Sequence, residues 1–87
     1  MMPEICRFYG IIIAMFYDEH NPPHFHARYG DYKASIDIHS LCVLEGTFPP
    51  RALGMVIEWA SLHQNELLEG WNMARQQKTP QKIEPLK

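Results

Sequence analysis

Residues 24–38 read HFHARYGDYKASIDI, and their alternation of apolar and polar residues predicts a β-hairpin. Gly30-Asp31 suits a two-residue turn, because glycine accepts the positive φ that the first position of such a turn needs. The predicted register pairs apolar residues with one another: Tyr29 with Tyr32, Ala27 with Ala34, and Phe25 with Ile36. A shift of one residue would place apolar residues opposite polar ones, so the pattern and the turn predict the same pairing.

The rest of the chain predicts an α+β fold around this hairpin. Four strands are expected in a small antiparallel sheet, over residues 7–17, 24–29, 32–38 and 41–45. Residues 7–17 are apolar on both alternating faces, as in a central strand. From Pro50 onward apolar residues recur every three or four positions. This spacing predicts a long C-terminal helix over 50–77, or one broken near His63, that covers the apolar face of the sheet.

Length and composition predict a single domain over residues 1–87. The chain has 46% hydrophobic and 21% charged residues, which is ordinary for a globular protein. The tail over 79–87 contains two prolines and is expected to be loosely ordered. A formal net charge of −2 argues against a strongly basic nucleic-acid module.

The apolar run over residues 10–17 is far shorter than the ~20 residues of a membrane helix, so no membrane association is expected. The two cysteines, Cys6 and Cys42, do not form a Cys-x-x-Cys motif. They are interpreted as buried thiols of a protein in the reducing cytoplasm.

Three histidines close to the second strand predict a metal site. His24 and His26 share one face of a strand about 6.5–7 Å apart, which lets both bind one ion. His20 is a candidate third ligand, and Asp37, opposite His24 in the predicted register, is a candidate fourth. Imidazole is a preferred ligand of zinc and other late transition metals, so zinc, nickel and iron are the expected ions. The alternative is a set of partly exposed histidines that hydrogen-bond to loop backbone and Asp37.

The same residues also suit metal-free chemistry on RNA. His24 paired with Asp37, together with His26, supplies candidate catalytic groups for general acid and base. Arg28 and Lys33 lie opposite each other in the register, where like charges repel unless an anion binds between them. These two cations are therefore candidate phosphate contacts. The simpler alternative is that both side chains extend into solvent.

Two stretches, FYGIII at residues 8–13 and DEHNPPHFHA at residues 18–27, resemble the opening of a bacterial family catalogued as a domain of unknown function, DUF4160. The similarity continues through LEG at residues 44–46 and PRAL at residues 50–53. Such proteins are often encoded beside a second small family, DUF2442, and the pair is suspected to be a toxin–antitoxin module. The resemblance implies no catalytic residues.

Three functions follow from these observations. The first is a toxin–antitoxin component that acts on RNA, as a ribonuclease-like enzyme. The second is a metal-binding protein whose metal is structural or hydrolytic. The third is a non-enzymatic interaction module. The apolar stripe of the helix is too wide for one packed face, so a homodimer or a complex with a small partner, such as a DUF2442-type protein, is expected.

Overall fold

A computed structural model describes residues 3–17 and 19–87. The described chain forms five strands and two helices: β1 (Glu4–Phe8), β2 (Ile11–Ala14), β3 (His24–Tyr29), β4 (Tyr32–Asp37), β5 (Val43–Thr47), α1 (Pro50–Leu62) and α2 (Gln64–Arg75). The strands form one antiparallel sheet in chain order, β1-β2-β3-β4-β5. Each strand therefore pairs with its neighbour in sequence, and the α+β prediction is confirmed.

The central hairpin has the register that its sequence predicts. His24 pairs with Asp37, Arg28 with Lys33, and Tyr29 with Tyr32. Gly30 has a φ of 58°, the positive value expected at the first turn position. Of the two alternatives for the C-terminal helix, the structure has the broken one, because α1 ends at Leu62 and α2 begins at Gln64.

The prediction of one strand over 7–17 was wrong, because this segment contains a hairpin. Tyr9 and Gly10 have φ values of 48° and 82°, and two positive φ values in succession are typical of a type I′ turn. The turn pairs Phe8 with Ile11 and Arg7 with Ile12. Both strands are rich in apolar residues, so the alternation that would have separated them is absent from the sequence.

The last strand is displaced by two residues from its predicted position over 41–45, since β5 covers Val43–Thr47. Leu41 has a φ of 59° and donates its backbone N–H to the carbonyl of Asp37, so it belongs to the turn that precedes the strand. Cys42 is exposed, which corrects the interpretation of both cysteines as buried, whereas Cys6 is buried.

The two helices pack on one face of the sheet and enclose the hydrophobic core. Trp59 of α1 is fully buried, with ring centroids 5.6 Å from Phe8 and 6.0 Å from Phe25. Gln64 at the start of α2 donates its side-chain amide to the carbonyl of Ile38, 2.8 Å away. This contact ties α2 to the end of the hairpin that carries His24. Neither helix of the described residues has the length and apolarity to cross a bilayer.

The tail beyond α2 has no helix or strand, yet it contacts the core. Ile83 is buried and donates its backbone N–H to the Ile5 carbonyl at 2.9 Å. Trp59 Nε1–H donates to the Glu84 carbonyl at 2.7 Å. The tail therefore covers part of the wide apolar stripe of α1 from within the same chain.

Candidate metal centre

The face of the sheet opposite the helices, here called the open face, carries polar side chains in two rows. One row crosses β3, β4 and β5 through His26, Ser35 and Glu45, and the next crosses β3 and β4 through Arg28 and Lys33. The loop between β2 and β3 passes the β3 end of the first row. Its Asn21–Pro22 peptide bond is cis.

Glu19 of this loop lies against both histidines of β3. Its Oε1 is 2.6 Å from His26 Nε2 and 3.6 Å from His24 Nε2. The three side chains are partly shielded, with exposed fractions of 25%, 23% and 11% for Glu19, His26 and His24. One ligand atom from each lies within 4.8 Å of the others, so the Glu19–His24–His26 group can hold a metal ion.

The other ring nitrogens of the two histidines have their own partners. His24 Nδ1 lies 2.7 Å from the Pro22 carbonyl, which can only accept, so Nδ1 carries a proton. In the neutral form of the ring, Nε2 then has the lone pair that a metal binds. His26 Nδ1 lies 3.3 Å from Ser35 Oγ, a hydroxyl that can donate or accept. Metal-binding histidines commonly have such a partner on the second nitrogen, because it fixes the orientation of the ring.

Aromatic rings hold both imidazoles in place. Phe16 stacks on His26 with ring centroids 3.9 Å apart and planes inclined by 20°. Trp71 of α2 lies 5.1 Å from the His24 ring. Burial lowers the pKa of His26 below its ordinary value, although the hydrogen bond to Glu19 acts in the opposite direction. At neutral pH His26 is therefore mainly uncharged, the form that binds metals.

One of the two distances from Glu19 to the histidines matches the spacing of ligand atoms in a zinc site. Ligands about 2.0–2.2 Å from a tetrahedral ion are roughly 3.3 Å from one another. The Glu19–His24 distance of 3.6 Å is near this value, whereas the Glu19–His26 distance of 2.6 Å is that of a hydrogen bond. A metal ion would replace the proton between Glu19 and His26. The distance between Glu19 Oε1 and His26 Nε2 would then have to increase from 2.6 Å by less than about 1 Å to reach the spacing in a zinc site.

Asp37 does not join this group, although it pairs with His24 in the register. Its Oδ1 accepts the backbone N–H groups of His39 at 2.7 Å and Ser40 at 2.9 Å. These donors, Ser40 above all, hold the pKa of Asp37 below its ordinary value. Within residues 3–17 and 19–87, no hydrogen bond or ion pair joins Asp37 to His24, so the predicted pair of the two side chains is not formed.

The other predicted site residues lie around the group. His20 is exposed and lines the cleft above it, but its ring is outside the set of converging ligand atoms. Arg28 and Lys33 line a neighbouring cleft of about 330 Å³ together with His26 and Ser35. Both side chains are exposed, and neither forms a side-chain hydrogen bond or an ion pair with a residue of the described chain.

Sequence reasoning missed Glu19 as a member of the group that can hold a metal ion. It lies in an irregular loop, where no periodicity indicates the direction of a side chain. The available signal was composition alone, since Glu19 is a carboxylate next to His20 and seven residues before His26.

Comparison with known proteins identifies one family. The model of a family described as a domain of unknown function, DUF4160, matches residues 10–72, which include the whole Glu19–His24–His26 group. No curated protein and no solved structure matches the chain.

Proposed function

We propose that this chain, which belongs to the DUF4160 family, a domain of unknown function, binds one divalent transition-metal ion through Glu19, His24 and His26. The observation that carries the proposal is the convergence of three ligand atoms within 4.8 Å. The Pro22 carbonyl and Ser35 support it, because they engage the two Nδ1 atoms and direct both Nε2 atoms toward Glu19.

Zinc, ferrous iron and nickel are the ions that this ligand set suits. Two imidazoles and one carboxylate are typical of catalytic zinc and of non-haem iron, and both arrangements leave coordination positions for water or substrate. Sites whose metal is purely structural usually supply four protein ligands. With three ligands, the Glu19–His24–His26 group favours a metal that acts on a bound molecule.

Metal-assisted hydrolysis is the reaction class that the surroundings favour. A cleft of about 340 Å³ lies over the group, lined by residues of the loop and of β3 to β5: Glu19, His20, Asn21, Pro22, His24, His26, Ser35, Leu44 and Glu45. A zinc ion held by Glu19, His24 and His26 would supply hydrolytic chemistry there, by lowering the pKa of water to near neutral. We assign Glu45, a further carboxylate of this lining, as the base that accepts the water proton.

The metal-free ribonuclease hypothesis requires Asp37 to orient the imidazole of His24. In the structure the Asp37 carboxylate instead accepts hydrogen bonds from backbone N–H groups, which argues against this hypothesis. Action on RNA is therefore kept as a proposal that depends on the metal. The interaction-module hypothesis depends on the wide stripe of α1, which the tail partly covers through Ile83 and Glu84. A homodimer or a small cognate partner is a separate proposal, tested by the mass of the purified protein in solution.

The toxin–antitoxin role follows from the resemblance and is also a proposal. Induced expression of the chain alone should arrest growth if it is the toxin, and co-expression with a DUF2442-type neighbour should restore growth. The His24→Ala variant should not arrest growth if the metal is needed. Arrest by this variant at unchanged expression would separate toxicity from the metal site.

Elemental analysis tests the metal proposal directly. The protein is purified without an affinity tag or chelator, together with the His24→Ala/His26→Ala double variant. Near-stoichiometric zinc, iron or nickel is expected in the wild type and less than a tenth of it in the variant. His20→Ala is the matched control, because His20 lines the same cleft but is not in the ligand group.

Two results would contradict the proposal. Wild-type protein that takes up no metal even after titration with zinc, iron and nickel salts would remove the metal site. Equal loss of metal in the His20→Ala control would show that the ligand set is wrong. Circular dichroism of each variant separates loss of a ligand from loss of the fold.

A further inference from the structure

We propose that the open face binds a phosphate-bearing ligand, with the phosphate between the Glu19–His24–His26 metal group and the Arg28–Lys33 pair. This inference rests on the proposed metal site and adds the chemical class of its ligand.

The register places the two parts of this site next to each other. His26 and Arg28 are alternate residues of β3, and their cross-strand partners on β4 are Ser35 and Lys33. Alternate residues of a strand point to the same face and are about 6.5–7 Å apart. A single small ligand can therefore contact a metal at His26 and the cations of the next row.

The two parts line neighbouring clefts that share three residues. The cleft of about 330 Å³ that includes Arg28 and Lys33 also includes His26, Ser35 and Glu45, which line the cleft over the metal group as well. Its opposite side is apolar and consists of Ile12, Ala14 and Phe16. This wall suits the organic part of a phosphate ester, while the charged groups face the phosphate.

The charges favour an anion at the second row. Arg28 and Lys33 are directly opposite each other, and like charges in this position destabilise a strand pair. Neither side chain has an acidic partner among residues 3–17 and 19–87, whereas Arg7 on the same sheet is paired with Glu4 at 2.8 Å. Glu45 is the carboxylate of this cleft, and it pairs with Ser35 in the row of His26 rather than with the cations.

Phosphate is favoured over a carboxylate by its shape and charge. Its tetrahedral arrangement of oxygens allows one oxygen to bind the metal while others accept hydrogen bonds from Arg28 and Lys33. The guanidinium of Arg28 can make two parallel hydrogen bonds to a phosphate, and the ammonium of Lys33 adds a point charge. A planar monocarboxylate has two oxygens, one fewer than the three groups that the ligand would contact.

Calorimetric titration with phenylphosphonate, which does not hydrolyse, tests the inference. Zinc-loaded wild-type protein should bind it with a Kd at least tenfold lower than that of the Arg28→Gln/Lys33→Gln variant, at equal zinc content. Arg75→Gln, near the end of α2, is the matched charge control and should bind as the wild type does. Benzoate, which has a planar carboxylate in place of the phosphonate, should bind at least tenfold more weakly than phenylphosphonate.

A second titration distinguishes the source of the phosphate. Tighter binding of a single-stranded oligoribonucleotide than of phenylphosphonate would assign a nucleic-acid backbone, and the reverse would assign a small phosphomonoester. The inference is overturned if the double variant keeps wild-type affinity or if benzoate binds as tightly as phenylphosphonate. Binding that needs Arg28 and Lys33 but has the same Kd without metal would refute a contact between the phosphate and the metal. The metal site itself is tested separately by the elemental analysis.

Discussion

Glu19 and His26 are joined by a hydrogen bond of 2.6 Å between a loop carboxylate and the imidazole of a strand residue seven positions later. The ring of Phe16 stacks on the His26 imidazole and keeps it in this orientation. His24 approaches the same carboxylate oxygen at 3.6 Å. The site is therefore organised around one oxygen of Glu19, and the first prediction concerns that atom.

Glu19→Gln should weaken metal binding at least tenfold without a change of fold. Glutamine has nearly the same shape and can still hydrogen-bond to His26, but it lacks the negative charge that makes a carboxylate a good metal ligand. The measurement is a zinc titration against a chromophoric chelator of known affinity. Glu58→Gln on the exposed side of α1 is the control, and equal affinities for the two variants would exclude Glu19 as a ligand.

Ser35→Ala should lower metal affinity by roughly tenfold, the effect typical of losing a hydrogen-bond partner of a ligand. When a metal binds His26 Nε2, the proton of the neutral ring is on Nδ1, 3.3 Å from Ser35 Oγ. The Ser35 hydroxyl then accepts a hydrogen bond from this N–H group. Ser61→Ala is the control, since Ser61 donates to the Glu58 carbonyl within α1. Unchanged zinc affinity in Ser35→Ala would show that this contact does not orient the imidazole.

Asp37→Ala should reduce stability by about 1–2 kcal/mol, because its carboxylate accepts two backbone N–H groups of the following turn. Metal content should not change, in contrast to the sequence-based prediction of Asp37 as a ligand. Urea unfolding and elemental analysis measure the two effects. A loss of metal in this variant at pH 7 would indicate that Asp37 is a metal ligand, as the sequence predicted.

The same residue predicts part of the acid sensitivity. The N–H groups of Ser40 and His39 hold the pKa of Asp37 below its ordinary value. A group whose pKa is lower in the folded state adds stability above its unfolded pKa, and this stability is lost as the pH falls through the folded pKa. When the pH is lowered from about 5 to strongly acidic values, the free energy of unfolding of the wild type should therefore fall more than that of Asp37→Ala. The range begins at about pH 5 because this lies above the ordinary pKa of an aspartate. Parallel losses in the two proteins would contradict this explanation.

Two glycine substitutions should shift stability in opposite directions. Gly46 has a φ of 88°, and a Cβ there would lie 2.1 Å from the Lys33 carbonyl oxygen, so Gly46→Ala should cost more than about 1 kcal/mol. Gly54 lies within α1 with nothing within 4 Å of an added Cβ, so Gly54→Ala should add up to about 1 kcal/mol. Thermal unfolding measures both, and a stable Gly46→Ala would mean that β5 does not pair with β4 in this way.

The fold was predictable wherever alternation and turn chemistry agree. The pairing of residues 24–29 with 32–37 follows from Gly30 and from apolar residues placed opposite one another. The hairpin that turns within 7–17 was not predictable by the same means, because β2 consists of apolar residues only and shows no alternation. Gly10 was its one local signal, and it is preceded by Tyr9, a residue that seldom adopts a positive φ.

The candidate site was predictable in part for a similar reason. His24 and His26 share a face through strand periodicity, and this is independent of the rest of the chain. Asp37 was placed correctly in the register, but the direction of its carboxylate depends on competition with nearby backbone N–H groups. Glu19 reaches the histidines only through the course of an irregular loop, which no pattern in the sequence describes.

The three ligands lie within residues 19–26, and this closeness along the chain affects how a metal ion would stabilise the protein. A ligand stabilises a fold only by the excess of its affinity for the native over the denatured chain. Ligands separated by so short a loop remain near one another after unfolding, because closing a short loop costs little entropy. A denatured chain would thus keep part of its affinity, and a tightly bound ion would raise the melting temperature less than its dissociation constant alone indicates.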